Sequence, residues 1–380
     1  MIDFLRIHVV WAEGSSEGAR VAEVISRHFD GIGMERDGVA YRVPVRFASA
    51  PWRADSPLPR SVDLSRADHN AVVFLHDDFM DEQAADWDAY TQSIHAAMKA
   101  RGDADIFIPF AGEDRSAIPA SDKKRNIQYV YRSTWKTLDQ AGRDARLLLH
   151  VLVEIRRRLR ILSGDDSEEP LFVSHAKADG DTTAREIVTY VESPDHDVPL
   201  HAFYDAKELH PGEDYEARFI KEISRGTLIA IVSDVYDSRP WCVFELTTAK
   251  RHRRPIVLAD IGATRVSRTF PYGANLPRIR LETDGPPRAW IDALLVETMS
   301  EGLRCDVFEA QAKKVAEVAE DILAMPRPPE LFDVIDADAS PKVILYPDPP
   351  LGEVEARLVT RALVARRHDG ELKTLGEYKP

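Results

Sequence analysis

The chain has 380 residues, 44% hydrophobic and 30% charged, which is typical of a globular protein with room for about two or three compact units. Its formal net charge of -14 disfavours direct binding to nucleic acid or to an anionic membrane surface. Two cysteines, Cys242 and Cys305, are too few for a disulfide framework or a cysteine-based zinc site. Because neither a signal peptide nor an apolar run of ~20 residues is visible, we expect a cytoplasmic protein.

The first 160 residues alternate between predicted strands and helices. Short apolar or alternating runs predict strands at residues 7–12, 41–48, 71–75, 106–110 and 127–131. The run at 41–48 alternates and contains Pro44, which is typical of a half-exposed edge strand. Leucine-rich spacing of three and four then predicts a long helix over 138–162. This helix is either a coiled-coil seam or a cover for its own sheet, and we favour the cover because the heptad run is short.

A polar, acidic stretch at 163–170 is predicted to be a linker, and from Leu171 the same order of elements restarts. Residues 72–75 correspond to 229–232, and Trp87 corresponds to Trp241, which predicts a duplicated α/β unit. We therefore predict tandem α/β domains with flavodoxin-like parallel sheets flanked by helices. The predicted divisions are 1–162, the linker 163–170, a second domain at 171–325 and an extension at 341–380.

The end of the chain is predicted to contain amphipathic helices over about 288–325, a strand at 343–345 and a helix at 353–365. One strand and one helix cannot bury a core alone. The extension therefore either packs on the preceding domain or begins a third domain of a longer protein, and we favour the second.

Three blocks in the second domain carry chemically informative residues. They are LFVSH at 171–175, FYDAKELHPG at 203–212 and SRPWCVFEL at 238–246. In this order they resemble a TIR (Toll/interleukin-1 receptor) domain of the bacterial NAD-hydrolase type. The resemblance covers under half of the chain, and the unit before it resembles a degenerate TIR-like or Rossmann-like copy.

The resemblance implies roles for individual residues. Glu245 would be the catalytic carboxylate that breaks the nicotinamide–ribose bond of NAD+. The substrate-binding residues would be Ser174, Lys177, Phe203, Tyr204 and Trp241. The so-called BB loop, with Leu209, Pro211 and Gly212, would join TIR domains in a homo-oligomer. No metal is implied, NAD is a substrate and not a cofactor, and the expected setting is assembly-activated antiphage defence.

One carboxylate is chemically sufficient for this reaction. Glycosidases generally need a second carboxyl group to protonate the leaving group. The nicotinamide of NAD+ is already a cationic pyridinium, however, and leaves as a neutral molecule. The remaining oxocarbenium-like sugar is stabilised by one anion, and its capture by water or by the same molecule gives ADP-ribose or a cyclic product.

Several of these residues also have ordinary structural explanations. Asp179 or Asp181 is predicted to cap a helix over 182–191, and Ser238 to cap the helix that carries Glu245, with Pro240 in its first turn. Cys242 and Leu246 are predicted to face the core. The basic run at 250–254 is typical of a solvated helix end, with phosphate or partner contact as the alternative.

The N-terminal copy lacks the catalytic residue, because about Thr91 occupies the position that corresponds to Glu245. The copy is therefore predicted to serve sensing or assembly. Two further functions stay open for the chain: a TIR scaffold without turnover, and a receptor for an ADP-ribose-like nucleotide. P-loop, zincin and dinucleotide-fold dehydrogenase motifs do not occur.

Overall fold

The structure is a computed structural model that describes ten stretches of the chain. They are residues 3–29, 43–112, 118–166, 169–203, 215–263, 273, 275–317, 321–335, 341–366 and 370–378. The chain divides into two compact units, Met1–Gly164 and Asp165–Pro380, here called the N-terminal and the C-terminal unit. Among the described residues, no helix has both the length and the apolar character that a membrane span requires.

The N-terminal unit is built on a parallel five-stranded sheet. The strands described in the unit, five in this sheet and two in a separate pair, are β1 (Asp3–Val10), β2 (Val45–Ala48), β3 (Pro51–Arg53), β4 (Ser56–Pro59), β5 (Ala67–Leu75), β6 (Ile106–Ala111) and β7 (Val130–Tyr131). Its helices are α1 (Ser16–Phe29), α2 (Asp78–Asp81), α3 (Ala84–Ala100), α4 (Ala120–Lys124) and α5 (Gln140–Leu162). The sheet order is β2-β1-β5-β6-β7, while β3 and β4 form a separate antiparallel pair.

Two predictions for this unit are confirmed. The strand that follows Pro44 lies at the edge of the sheet, where the missing N–H of a proline is tolerated. Helix α5 begins after Asp139, whose side chain accepts a hydrogen bond from the Gly142 N–H. It covers its own sheet, since the ring of His150 lies edge-on to Phe110 of β6 with the ring centroids 6.2 Å apart.

The C-terminal unit contains a second parallel sheet of five strands. Its strands are β8 (Pro170–His175), β9 (His201–Phe203), β10 (Thr227–Val232), β11 (Ile256–Asp260) and β12 (Arg278–Arg280). The helices that belong with it are α6 (Asp181–Val191), α7 (Tyr215–Arg225), α8 (Pro240–Arg251) and α9 (Pro287–Ala316). The order is β12-β11-β10-β8-β9, and β8 and β10 are buried along their whole length, as strands covered by helices on both faces must be.

The two sheets share one topology. When the five strands of each sheet are numbered in chain order, both read 2-1-3-4-5, and every pairing within them is parallel. This is the strand order of flavodoxin-like folds. The predicted fold class is therefore confirmed. In such sheets the crevice for a ligand opens at the carboxyl ends of the first and third strands, where the chain changes direction along the sheet.

The end of the chain forms a small sheet, which partly contradicts the sequence prediction. Its strands are β13 (Ile322–Ala324), β14 (Val343–Tyr346) and β15 (Glu371–Thr374), and its helices are α10 (Leu331–Ile335) and α11 (Glu353–Ala365). The predicted helix over 288–325 is wrong at its end, because residues 322–324 pair with β14 instead. Leu345 of β14 packs with Phe308 and Ala312 of α9, so the long helix completes the core of this sheet.

Candidate active site

The candidate site lies where β8 and β10 end. These strands are neighbours, with Ser174 paired to Ala230 and His175 to Ile231. The chain leaves β8 toward β9 on one side and later returns to β10 on the other, so this is the point at which the strand order reverses. Side chains at the last residues of β8 therefore lie next to the connection that leaves β10.

A chain of three buried side chains occupies this position. The Ser174 hydroxyl donates to Oε2 of Glu245, with Oγ and Oε2 2.5 Å apart. Because that proton is used, the Tyr236 hydroxyl can donate to Ser174, whose Oγ lies 2.7 Å from the Tyr236 oxygen, and the Cys242 carbonyl oxygen, 3.4 Å away, is a second acceptor for the same proton. The exposed fractions are 1% for Ser174, 0% for Tyr236 and 8% for Glu245. Together the two hydroxyl groups form a relay of hydrogen bonds that points at the carboxylate.

The charge of Glu245 affects its neighbours. Burial, and then the negative charge of Glu245, raise the pKa of Tyr236 well above its ordinary value, so the phenol stays a neutral donor. The same two causes raise the pKa of the Cys242 thiol to about 12. A hydrogen bond donated to a carboxylate stabilises its anionic form. The Glu245 carboxylate thus lies beside the neutral hydroxyl groups of Ser174 and Tyr236, and Cys242 is not a thiolate nucleophile.

Local structure before α8 differs from the prediction. A short 3-10 helix, Tyr236–Ser238, precedes α8, and Ser238 bonds within it, with its Oγ 2.7 Å from the Val235 carbonyl oxygen. Arg239 takes the N-cap position without a side-chain bond, so the prediction that Ser238 caps the helix is wrong. Pro240 does stand in the first turn, as predicted. The 3-10 helix is what brings Tyr236 under the start of α8.

The predicted caps after β8 are also wrong. Gly180 is the N-cap of α6, and no side chain caps this helix. Asp179 instead accepts a hydrogen bond from the Ser233 hydroxyl, with Oδ1 and Oγ 2.6 Å apart. Asp181 lies in the first turn and pairs with Arg185, with Oδ2 and Nε 2.8 Å apart. The Ser233 contact ties the loop after β8 to the end of β10, which holds the two sides of the candidate crevice together.

The other predicted substrate residues lie in different surroundings. Lys177 is exposed in the loop after β8. Trp241 is 43% exposed, and its ring is edge-on to Phe244, with centroids 5.3 Å apart, and to Phe219, with centroids 6.4 Å apart. Tyr204 and the loop residues Leu209, Pro211 and Gly212 lie outside the described residues.

Phe203 belongs to the hydrophobic core instead of an open cleft. Its ring is 2% exposed and stacks on Phe172 with the centroids 5.2 Å apart. Phe219 packs edge-on against it. The structure therefore gives Phe203 a packing role at the end of β9.

The core-facing stripe of α8 is as predicted, since Cys242 is 3% and Leu246 0% exposed. Tyr236 was not predicted as a site residue. It stands four residues after the last residue of β10, and a buried tyrosine needs a partner for its hydroxyl, which is the signal that could have found it.

The basic run after Glu245 is solvated only in part: Arg251, His252 and Arg253 are exposed as predicted, whereas Lys250 is buried and Arg254 half-buried. Lys250 is fully buried in its side chain and pairs with Glu330, with Nζ and Oε1 2.7 Å apart. Arg254 donates to the Gly226 carbonyl oxygen, 3.1 Å from its Nε. Arg253 adopts a φ of 56°, which ends the helix. For Lys250 and Arg254 both earlier interpretations, solvation and phosphate contact, are replaced by contacts within the unit.

No group of three or more His, Cys, Asp and Glu side chains suited to a metal ion occurs in the part of the chain that the structure describes.

Comparison with known proteins agrees with the geometry. The TIR domain family model matches residues 171–295, a range that includes Ser174, Tyr236 and Glu245. No curated protein matches the chain. The match begins at the second residue of β8 and ends within α9, so it contains all of the second sheet except Pro170. Residues 171–295 of this chain thus form a TIR domain.

Proposed function

We propose that the chain is an NAD+ glycohydrolase in which Glu245 is the catalytic residue. The observation that carries the proposal is the contact between the Ser174 hydroxyl and the Glu245 carboxylate, 2.5 Å apart, at the carboxyl ends of adjacent parallel strands. A glutamate that serves only solubility would be solvated, yet this one is 8% exposed. Burying a carboxylate costs free energy even when it is hydrogen-bonded, so a buried glutamate at this edge of the sheet points to a function.

The proposed reaction needs only charge stabilisation by the protein. The bond between the ribose carbon and the nicotinamide nitrogen breaks, and both of its electrons go to the nitrogen, so nicotinamide leaves neutral. The Glu245 carboxylate stabilises the positive charge that develops on the sugar. In surroundings from which water is excluded, such stabilisation is stronger than it would be in bulk water.

The hydroxyl relay would hold the carboxylate in one orientation. Ser174 donates to Glu245, and the Tyr236 hydroxyl lies 2.7 Å from the Ser174 Oγ, so two hydroxyl groups act in line on the carboxylate. Water that captures the sugar cation would give ADP-ribose, and capture by another group of the same molecule would give a cyclic product. The resemblance to bacterial TIR effectors supports a role in antiphage defence, with activity that depends on self-association through the loop at 209–212.

The test is NAD+ turnover by the purified full-length protein, free and concentrated on beads, with products separated by chromatography. We expect Glu245→Gln to lower turnover by at least about a thousandfold, because an electrostatic contact of this kind contributes roughly 10²–10³ in rate and the variant loses the charge itself.

Glu186→Gln is the matched control, since the same substitution on α6 lies outside the relay. It is expected to keep wild-type turnover. Equal turnover by the wild type and Glu245→Gln would remove Glu245 from the mechanism. Absence of turnover by the wild type, both free and on beads, would replace the enzyme with a TIR scaffold.

A further inference from the structure

A segment outside the TIR match contacts the helix that carries Glu245. We call the described residues between 321 and 378 the tail segment. Its Glu330 pairs with Lys250 in the last turns of α8, with Oε1 and Nζ 2.7 Å apart. The side chains are 0% exposed for Lys250 and 10% for Glu330. One partner lies inside the family match and the other beyond it.

Glu330 is itself held by its neighbours. Its backbone N–H donates to Oδ2 of Asp333, 2.9 Å away, and Asp333 also pairs with the buried Arg327. Next to this network the guanidinium of Arg251 lies 5.7 Å from the centre of the Phe332 ring. The last turn of α8 is therefore in contact with an organised surface, and not with a single side chain.

Stability alone does not account for a buried pair of this kind. Burial lowers the pKa of Lys250 and raises the pKa of Glu330, so removal from water opposes the charge on both partners. Replacing a buried ion pair by apolar side chains of similar volume is often neutral or stabilising. What an ion pair adds is direction, because its two hydrogen-bonding groups must meet in one geometry.

The pair is well placed to fix the rotation of α8. Lys250 follows Glu245 by five residues, which on a regular helix is about 7.5 Å along the axis and about 140° around it. Glu245 is held on one side by Ser174, and Lys250 is held on another side by Glu330. Two anchors on different sides of one helix restrict its rotation more than either anchor does alone.

We propose that Lys250 and Glu330 are positioning residues that hold α8 in the orientation in which Glu245 meets Ser174, so that the tail segment sets the geometry of the site. The catalytic consequence rests on the proposed NAD+ cleavage. Without the pair, α8 retains its core contacts but loses a directional anchor at its end. The carboxylate then spends less time at the reacting position, which lowers kcat and leaves substrate binding nearly unchanged.

The test uses the full chain with the double substitution Lys250→Met and Glu330→Leu, which removes the pairing but fills the space with apolar groups. The control is Lys373→Met with Glu371→Leu, the same substitutions at an exposed pair in the same segment, whose Nζ and Oε2 are 2.7 Å apart. Two quantities are measured: amide hydrogen exchange of residues 240–251 by mass spectrometry, and kcat and KM for NAD+. The unfolding temperature checks that each variant is folded.

We expect the double variant to keep its unfolding temperature while the amides at the end of α8 exchange about tenfold faster. We expect kcat to fall by about ten- to a hundredfold, since a small misplacement of a reacting group costs that much, with KM within about twofold of the wild type. The exposed control pair should change neither quantity.

Wild-type exchange together with wild-type kcat in the double variant would overturn the proposal, and so would a change in KM alone. The two proposals can fail separately. If the wild type turns over no NAD+ but the double variant exchanges faster over 240–251, the proposed function fails and the anchoring of α8 by the tail segment stands.

Discussion

Two sheets with the same strand order carry different side chains behind their third strand. In the N-terminal unit, α3 follows β5 and buries Trp87 against Phe74, with the ring centroids 6.3 Å apart. In the C-terminal unit, α8 follows β10 and buries Glu245 against Ser174. One helix therefore completes an aromatic core, and the other holds a carboxylate among hydroxyl groups.

The difference is clearest at the two positions that the sequence comparison aligns. Thr91 is fully buried, and its hydroxyl bonds within its own helix, with Oγ1 3.0 Å from the carbonyl oxygens of Trp87 and Asp88. Glu245, by contrast, accepts a hydrogen bond from Ser174 of the strand β8. A shared topology thus leaves the chemistry of the crevice to a few side chains, which is why function has to be argued from the site and not from the fold. That the N-terminal unit is a degenerate TIR copy stays a prediction.

The largest effect is expected when a carboxylate is placed on the corresponding helix of the N-terminal unit, α3. Thr91→Glu should destabilise the protein by about 3–5 kcal/mol, because the new carboxylate would be buried without a hydrogen-bond donor such as the one that Ser174 provides to Glu245. Urea unfolding of the full chain measures the loss. Thr91→Val, which removes only the hydroxyl, is the control and should cost far less. A Thr91→Glu variant of wild-type stability would show that the two environments are equivalent.

Removing the serine tests whether its hydrogen bond positions Glu245. Ser174→Ala deletes the hydrogen bond to the carboxylate, and bonds to charged groups contribute about 1.5–3 kcal/mol. If that energy positions Glu245, NAD+ turnover falls by about 10- to 100-fold. Steady-state kinetics of the full chain, with Ser224→Ala on α7 as the matched control, gives the result. Equal losses in both variants would contradict a specific role for Ser174.

Tyr236→Phe should have a smaller effect. The ring keeps its place in the core, and only the outer hydroxyl of the relay is lost, which is worth about 1 kcal/mol or about fivefold in turnover. Once Ser174→Ala has removed the hydroxyl that lies between Tyr236 and Glu245, the Tyr236 hydroxyl no longer acts on the carboxylate, which the double variant Ser174→Ala/Tyr236→Phe tests. The second substitution should then add little, and fully additive losses would show that the two hydroxyl groups act independently.

The smallest expected effect concerns the thiol beside the carboxylate. Because the pKa of Cys242 is raised to about 12, the thiol stays protonated at pH 8 and should react with iodoacetamide far more slowly than in unfolded protein. Peptide mass spectrometry after timed labelling measures this. Cys242→Ser should change turnover by less than about twofold. Rapid labelling of the folded protein at pH 8 would mean that an ionised thiol shares the site.

The main elements could be predicted because their patterns are long. The apolar spacing over 353–365 predicts α11 with the bounds that the structure has. The strands β13 and β15 have three and four residues, too few to show a period, and they form only because β14 lies between them. Local pattern thus predicts elements that are stable through their own amphipathic face, and misses those that depend on a distant partner.

The candidate site divides in the same way. Glu245 was predicted from a local motif, while its contact with Ser174, and that of Ser174 with Tyr236, involve a strand and a turn that the motif does not contain. Lys250 stands in a run of basic residues, a pattern that predicts solvation. Its partner Glu330 is 80 residues away, so nothing near Lys250 in the sequence indicates that its charge is buried and paired.

The long helix α9 has a practical consequence for anyone who wishes to isolate the TIR domain. The family match ends at residue 295, but α9 runs from Pro287 to Ala316, and its buried residues continue through Leu303 and Phe308. A fragment cut at 295 would keep about two and a half turns of this helix, too short to be stable except through packing. The limit of family similarity is therefore not a limit of cooperative folding, and truncation of this protein should follow the helix instead.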